Sequence, residues 1–180
     1  GSVTSVERLI KQINFPKVVL PVSSVVAGIA NFAFGLVPLF ALMLLFYSDR
    51  ISIWLVAIVP VAVVQFVFTL PLALLVAAIN VFYRDVGNLS RHFLRIWFYL
   101  SPGIYGADVI LRISETNPAI GTLMALNPWA ILFTGYRDAI YEGISPNWVA
   151  LGLLTAGSLV LLAIATWVFK RLEPQFAKVL

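Results

Sequence analysis

Two long uncharged apolar segments constrain the fold of this chain more than any other feature. Residues 18–47 form a run of 30 residues and residues 51–82 a run of 32, and neither run contains Asp, Glu, Lys or Arg. A helix of about 20 apolar residues already crosses the hydrocarbon core of a bilayer. Only Ser48-Asp49-Arg50 separates the two runs, so we predict an antiparallel transmembrane hairpin whose helices tilt or protrude.

The composition supports the same conclusion. The chain is 61% hydrophobic and 11% charged, with a mean hydropathy of +0.98, whereas soluble domains are about 45–50% apolar and about 25% charged. We therefore predict an all-α integral membrane protein, a single helical bundle over residues 1–180. The absence of cysteine excludes disulfides and thiolate metal sites, and a net charge of only +4 does not indicate a nucleic-acid partner.

Residues 4–14 are predicted to form an amphipathic helix. Thr4 and Glu7 fit a capping box, in which each side chain satisfies a free amide of the first turn, and Pro16 ends the pattern. One face of the helix is apolar, and it consists of Val6, Leu9, Ile10 and Ile13. Such a helix beside a span suits the membrane interface, although an ordinary solvated turn before the span is the alternative.

Residues 84–107 combine a basic amphipathic segment with a short apolar one. After Arg95 only 12 residues precede Asp108, which as a helix is about 18 Å and is shorter than the bilayer core. We therefore predict a helix that starts near Leu89, with arginines that extend toward the interface. Pro102 and Gly103 are predicted to bend its far end.

The remaining chain alternates polar and apolar stretches. In residues 108–143, Asn127 is a predicted N-cap, Pro128 a first helical residue and Gly143 the residue that closes the helix. We predict two short helices that enter the bilayer partway and return, because full spans would bury several charges. Residues 147–169 are a further predicted span, and residues 170–180 a cytoplasmic tail.

The distribution of basic residues sets the predicted orientation. With four spans and residues 108–143 outside, nine Lys or Arg residues lie on the cytoplasmic side and three lie outside. This bias obeys the positive-inside rule. We therefore predict a multi-pass membrane protein with a cytoplasmic C-terminus.

The sequence shows no catalytic motif. It lacks a nucleotide-binding P-loop, the H-E-x-x-H zinc motif and the G-x-S-x-G nucleophile motif. The apolar runs hold no paired carboxylates, which argues against a secondary transporter driven by protons or sodium. We predict no catalytic residue, no metal site and no cofactor in this chain.

Aromatic residues flank the broken region, and they suit either of two roles. They could form an interfacial aromatic belt, or they could be a surface on which a sugar or lipid stacks as it moves through the membrane. The predicted substrate-pathway residues are Trp97, Tyr99, Tyr105, Trp129, Phe133 and Tyr136. The predicted breaks in the helices of this region are Pro102, Gly103 and Pro128.

Four landmarks in order resemble the permeases of type-2 ABC exporters. They are Leu9-Ile10-Lys11 with Asn14-Phe15-Pro16-Lys17, Asn80-Val81-Phe82-Tyr83-Arg84-Asp85, Leu100-Ser101-Pro102-Gly103, and Asn127-Pro128-Trp129 with Tyr136-Arg137-Asp138. Together they cover nearly the whole chain and are similar to the branch that exports polysaccharides such as O-antigen, teichoic acid and capsule.

The resemblance implies a transporter without chemistry of its own. Such permeases have six spans and work as homodimers with two ATPase subunits, which bind ATP and Mg²⁺ and drive export of a lipid-linked polysaccharide. This chain would correspond to spans three to six, with the N-terminal interfacial helix and first two spans missing. Residues 4–14 would be the first coupling helix and residues 108–143 the outer gate. The implied ATPase-coupling residues are Glu7, Arg8, Lys11, Arg84, Asp85 and Arg91.

Two other functions are compatible with the residues. The first is an exporter of drugs or lipids from the same superfamily, because the sequence does not specify the cargo. The second is a membrane-embedded glycosyltransferase or acyltransferase, which would need an aspartate- or histidine-based catalytic pair near a membrane face.

Overall fold

The computed structural model describes residues 17–83, 85–99, 101, 112 and 115–179. Within these residues every regular element is helical. Three helices are long and apolar enough to cross a membrane, with mean hydropathies of 2.2 to 2.5. The predicted all-α membrane fold is therefore confirmed, while the predicted helix at residues 4–14 lies outside the described residues.

Helix α1 (Val19–Phe46) and helix α2 (Ile58–Phe82) form the predicted hairpin. The connection contains two short 3₁₀ turns, Ser48–Arg50 and Ile53–Ala57. The side chain of Ser52 accepts a hydrogen bond from the Trp54 amide and so caps the second turn. Helix α1 buries only Val25 and Met43, so nearly all of its apolar surface is available to lipid or to other protein.

Helix α3 (Val86–Tyr99) returns along α2. At its start the Gly87 amide donates a 2.8 Å hydrogen bond to Oδ1 of Asn80. Near its other end Trp97 packs against Phe68, with ring centroids 6.4 Å apart. Since Phe68 precedes Asn80 by about 18 Å of helix, α3 runs antiparallel to α2. Its 14 residues span about 21 Å, and the predicted far part of this span, with Pro102, lies outside the described residues.

Two short helices occupy the end of the region predicted as the outer gate. They are α4 (Pro118–Ala125) and α5 (Pro128–Arg137), and α5 continues into a π turn at Asp138–Glu142. As predicted, Asn127 caps α5 by accepting a hydrogen bond from the Trp129 amide. Gly143 ends the π turn in the left-handed conformation, with a φ of 65°.

Helix α6 (Trp148–Val179) is the longest helix and packs mainly on α2. It continues past Lys170 and Arg171 and contains Pro174, so the residues predicted as a tail extend the last span as helix as far as Val179. Phe176, beyond the basic pair, is only 1% exposed.

Three hydrophobic clusters follow one another along the bundle. The Phe176 cluster joins α2 and α6 and is built around Leu74, Ala78, Ala165, Phe169 and Phe176. The Phe68 cluster joins α2, α5 and α6 and contains Val61, Phe68, Leu132 and Leu151. The Ala57 cluster joins the hairpin turn to the π turn and contains Ala57, Ile58 and Ala139. We call the end with Phe176 the tail end and the end with Ala57 the hairpin end.

Candidate functional site

An aromatic cluster connects α2, α3 and α5 at the middle of the bundle. The rings of Trp97, Trp129 and Phe68 meet nearly at right angles, with centroids 5.8 to 6.4 Å apart. Phe133 stacks on Trp129 at 6.2 Å and meets Phe98 edge-on at 5.4 Å. Edge-to-face contacts of this kind stabilise a fixed arrangement of rings, so α5, in the region predicted as the outer gate, is packed directly on α3.

The structure brings four of the predicted pathway residues into this cluster. Trp97, Trp129 and Phe133 are in contact, and Tyr99 joins them through Phe98, whose ring centroid is 5.9 Å away. Tyr105 lies outside the described residues. The Nε1 atom of Trp129 is buried and has no hydrogen-bond partner among the described residues.

Tyr136 lies apart from the aromatic cluster, against the hairpin. Its ring is 5.6 Å from that of Phe32 on α1, and its hydroxyl donates a 2.7 Å hydrogen bond to Oε1 of Gln65 on α2. Tyr136 therefore attaches α5 to both helices of the hairpin. The sequence offered one signal for Gln65, a polar residue within an uncharged span, but gave no indication of its partner.

A groove of about 300 Å³ lies between α1 and α2 beside this contact. Its wall is mainly apolar, and its polar side chains are Ser24, Gln65 and Thr69. The hydroxyls of Ser24 and Thr69 donate to the backbone carbonyls of Leu20 and Gln65. The sequence analysis did not predict this groove, because it depends on how the two helices pack.

The hairpin end holds the gate elements together. The Ser52 hydroxyl donates a 3.1 Å hydrogen bond to the carbonyl of Gly143, and Arg137 forms a 3.0 Å ion pair with Glu142. Burial, followed by the charge of Glu142, raises the pKa of Asp138, and Arg137 partly opposes this effect. The hairpin turn and the end of the gate region thus lie at the same end of the bundle.

Contacts at the tail end join the start of α1 to the end of α6. The Lys17 amide donates a 3.2 Å hydrogen bond to Oε1 of Glu173, and Nζ of Lys17 lies 5.5 Å from the centroid of the Phe176 ring. Phe176 also meets Phe82, at the end of α2, at 5.7 Å. These contacts were not predicted, because charged residues separate Phe176 from the apolar run.

Two predicted coupling residues lie where α2 turns into α3. Asp85 is exposed, and its carbonyl accepts hydrogen bonds from the amides of Asn88 and Leu89. Nε of Arg91 donates to the carbonyl of Gly87 at 3.2 Å, and its Nη2 contacts Oδ1 of Asn88. The side chain of Arg91 is thus directed toward the start of α3.

The other predicted site residues lie outside the described part of the chain. They are the coupling residues Glu7, Arg8, Lys11 and Arg84 and the gate breaks Pro102 and Gly103. The third predicted break, Pro128, is the first residue of α5. The structure therefore places Pro128 at a helix start, between α4 and α5.

The chain is similar along most of its length to proteins named as permeases of O-antigen export systems. It is 35% identical over 171 residues to the O-antigen export system permease protein RfbA of Myxococcus xanthus, a match that covers 94% of this chain. It is 25% identical over 174 residues to each of two proteins of the same name from Klebsiella pneumoniae. In each case the chain spans 64% of the relative's length. No protein-family model matches the chain.

Proposed function

We propose that this chain is the membrane-spanning part of a permease that exports a lipid-linked polysaccharide, driven by a separate ATPase. The observation that carries the proposal is the similarity over nearly the whole chain to O-antigen export permeases. The three long apolar helices agree with such a role. The cargo would be O-antigen, teichoic acid or a related cell-surface glycan, moving outward from the cytoplasmic side.

The contacts of α3 suggest how movement could cross the membrane. One end of α3 adjoins Asp85, a predicted contact of the ATPase, and the other end packs on the gate helix α5 through Trp97 and Trp129. A shift of α3 as a rigid body would therefore reach the gate without bending the helix. ATP binding and hydrolysis by the partner would bias the permease between two arrangements.

The complete exporter would contain two permease copies and two ATPase subunits in the bacterial plasma membrane. The tail end would face the cytoplasm and the hairpin end the outside. This orientation places Lys17, Lys170 and Arg171 on the cytoplasmic side, in agreement with the positive-inside rule. ATP and Mg²⁺ would bind to the ATPase, and this chain would bind glycan and lipid.

The exposure of the aromatic residues bears on the glycan pathway. Trp97 and Trp129 direct their faces and edges largely at other rings, whereas Tyr99 is 54% exposed. Tyr99 is therefore available to stack on a sugar ring, while the ring of Phe98 packs beside it. Stacking on a sugar is one of the two roles that the sequence left open, and an interfacial aromatic belt is the other.

Deletion of the gene, followed by complementation, tests the proposal. We expect loss of a surface glycan without increased sensitivity to drugs, and restoration of the glycan only when the ATPase partner is active. Drug sensitivity with an intact glycan would instead indicate the drug or lipid exporter. Glycosyl or acyl transfer by the purified protein without an ATPase would contradict the proposal and support the transferase.

A single cysteine in place of Glu115 tests the orientation. The native chain has no cysteine, so a label would report this position alone. We expect an impermeant maleimide to react from outside intact cells, with Lys170→Cys as the control that reacts only after permeabilisation. Reaction of Glu115→Cys only in permeabilised cells would reverse the proposed topology.

A further inference from the structure

Helix α3 carries a polar stripe along one face. The five residues follow helical spacing at i, i+3, i+4, i+7 and i+11, and they are Asn88, Arg91, His92, Arg95 and Tyr99. All five are exposed. Neighbouring positions on the helix form a separate apolar face, also exposed, which contains Leu89, Phe93 and Ile96.

The polar stripe runs beside α2, a helix that is long and apolar enough to cross the membrane. Gly87, at the start of α3, is hydrogen-bonded to Asn80 near the end of α2. Trp97, near the other end of α3, lies beside Phe68. Along α2, Phe68 and Asn80 are about 18 Å apart. Arg95, which is eight residues beyond Gly87, therefore lies about 12 Å along the same path. If α2 crosses the bilayer, an arginine beside this part of it has to face water or a charged partner, because contact with hydrocarbon is costly.

The described residues provide no acidic partner for the stripe. Arg91 contacts only Gly87 and Asn88 of its own first turn, and Arg95 makes no ion pair or hydrogen bond within the described part of the chain. Among the described residues, no side chain therefore competes with an anion for the guanidinium of Arg95. The apolar face with Phe93 and Ile96 is the side of α3 that suits lipid.

We propose that the polar stripe lines a water-filled vestibule and binds the phosphate that joins the lipid to the glycan. The inference rests on the proposed export function and adds a site for the charged part of the cargo. Arg95 binds the phosphate, since guanidinium groups pair with phosphate oxygens through two hydrogen bonds. Tyr99, one turn deeper and next to the aromatic cluster, contacts the first sugar.

Single-cysteine variants of the whole permease in leaky membrane vesicles test the site. Modification by an anionic methanethiosulfonate is measured at Tyr99→Cys on the stripe and at Ile96→Cys on the apolar face. The reagent modifies the thiolate, which forms in water and not in hydrocarbon. We therefore expect Tyr99→Cys to react at least about tenfold faster than Ile96→Cys. Equal rates at the two positions would overturn the vestibule.

Protection by ligands then tests the phosphate. Dodecyl phosphate should slow modification of Tyr99→Cys by about tenfold, whereas dodecanol and inorganic phosphate should have little effect. If dodecanol also protected the cysteine, the site would recognise the alkyl tail of the ligand and not its phosphate. If inorganic phosphate protected equally well, the site would bind a free anion. Vesicles enriched in phosphatidylglycerol test whether an ordinary phospholipid headgroup occupies the site. Protection by phosphatidylglycerol equal to that by dodecyl phosphate would also contradict the proposal.

Variants of the arginine complete the test. Arg95→Gln should abolish protection and Arg95→Lys should retain part of it, while Arg171→Gln, an exposed control at the tail end, should leave it intact. Normal amounts of each variant in the membrane show that folding is preserved, and full protection with Arg95→Gln would overturn the assignment. ATP-dependent glycan export is measured in parallel. Export without protection would refute this site alone, and protection without export would refute the proposed function alone.

Discussion

The hydroxyl of Tyr136 donates a hydrogen bond of 2.7 Å to Oε1 of Gln65. This contact joins the gate helix α5 to the middle of the membrane-spanning helix α2. The same tyrosine ring also packs against Phe32 of α1. One residue thus attaches α5 to both helices of the hairpin.

Tyr136→Phe should loosen the attachment without removing the ring. Side-chain hydrogen bonds in membrane proteins contribute about 0.6 kcal/mol on average and up to about 1.7 kcal/mol, so we expect a lower melting temperature and a loss of stability within that range. Unfolding in denaturing detergent measures the change.

Tyr47→Phe is the matched control, because Tyr47 is exposed at the end of α1. We expect this variant to unfold like the native protein. If both variants had the same stability as the native protein, the Tyr136–Gln65 bond would contribute nothing to the attachment of α5.

Gly143→Ala should destabilise the hairpin end. The φ of Gly143 is 65°, and a methyl group there would lie 3.2 Å from Cβ of Ser52. The left-handed conformation alone costs an L-residue about 1–2 kcal/mol, and the close contact adds to this cost. Denaturant titration should show a loss of at least about 1 kcal/mol.

Gly152→Ala is the matched control, for which we expect no loss of stability. A methyl group on Gly152 in α6 meets nothing within 4 Å, and alanine favours a helix interior over glycine by about 0.5–1 kcal/mol. The control should therefore be neutral or stabilising. A Gly143→Ala protein as stable as the control would contradict the strained geometry at this turn.

Phe176→Ala should weaken the tail end. Its ring packs against Phe82 and Phe169 with centroids 5.7 and 5.5 Å apart. Truncation of a buried phenylalanine costs about 3–5 kcal/mol, because it removes contacts and leaves a cavity. The free energy of unfolding measures the loss, and Gln175→Ala, at an exposed neighbouring position, should change it little. Equal effects of the two substitutions would show that Phe176 does not hold the three helix ends together.

Local chemistry explains which features the sequence predicted. Uncharged runs of the required length have no alternative to a membrane-spanning helix, so the hairpin agrees closely with the prediction. Asn127, Pro128 and Gly143 act through their own backbone and nearest neighbours. Their conformations therefore follow from residue type and order.

Long-range contacts could not be predicted in this way. Gln65 and Tyr136 are 71 residues apart, and Lys17 and Glu173 are 156 residues apart. Charged residues in front of Phe176 indicate the end of a span, yet the helix continues, because Phe176 finds an apolar site between Phe82 and Phe169. The aromatic pathway was predicted as one group, and its division between the cluster and Tyr136 depends on the packing of α5.

Comparison of Tyr99→Ala with Trp129→Ala should separate the stacking role from the packing role. The side chain of Tyr99 is 54% exposed, so its removal should leave stability nearly unchanged but slow glycan export. Trp129 contacts Phe68, Trp97 and Phe133, so its removal should lower the amount of folded protein together with export. Export is therefore normalised to the amount of permease in the membrane. A normalised rate that stays native for Tyr99→Ala would contradict the stacking role, because Tyr99 is more exposed than Tyr136, the other described tyrosine of the predicted pathway.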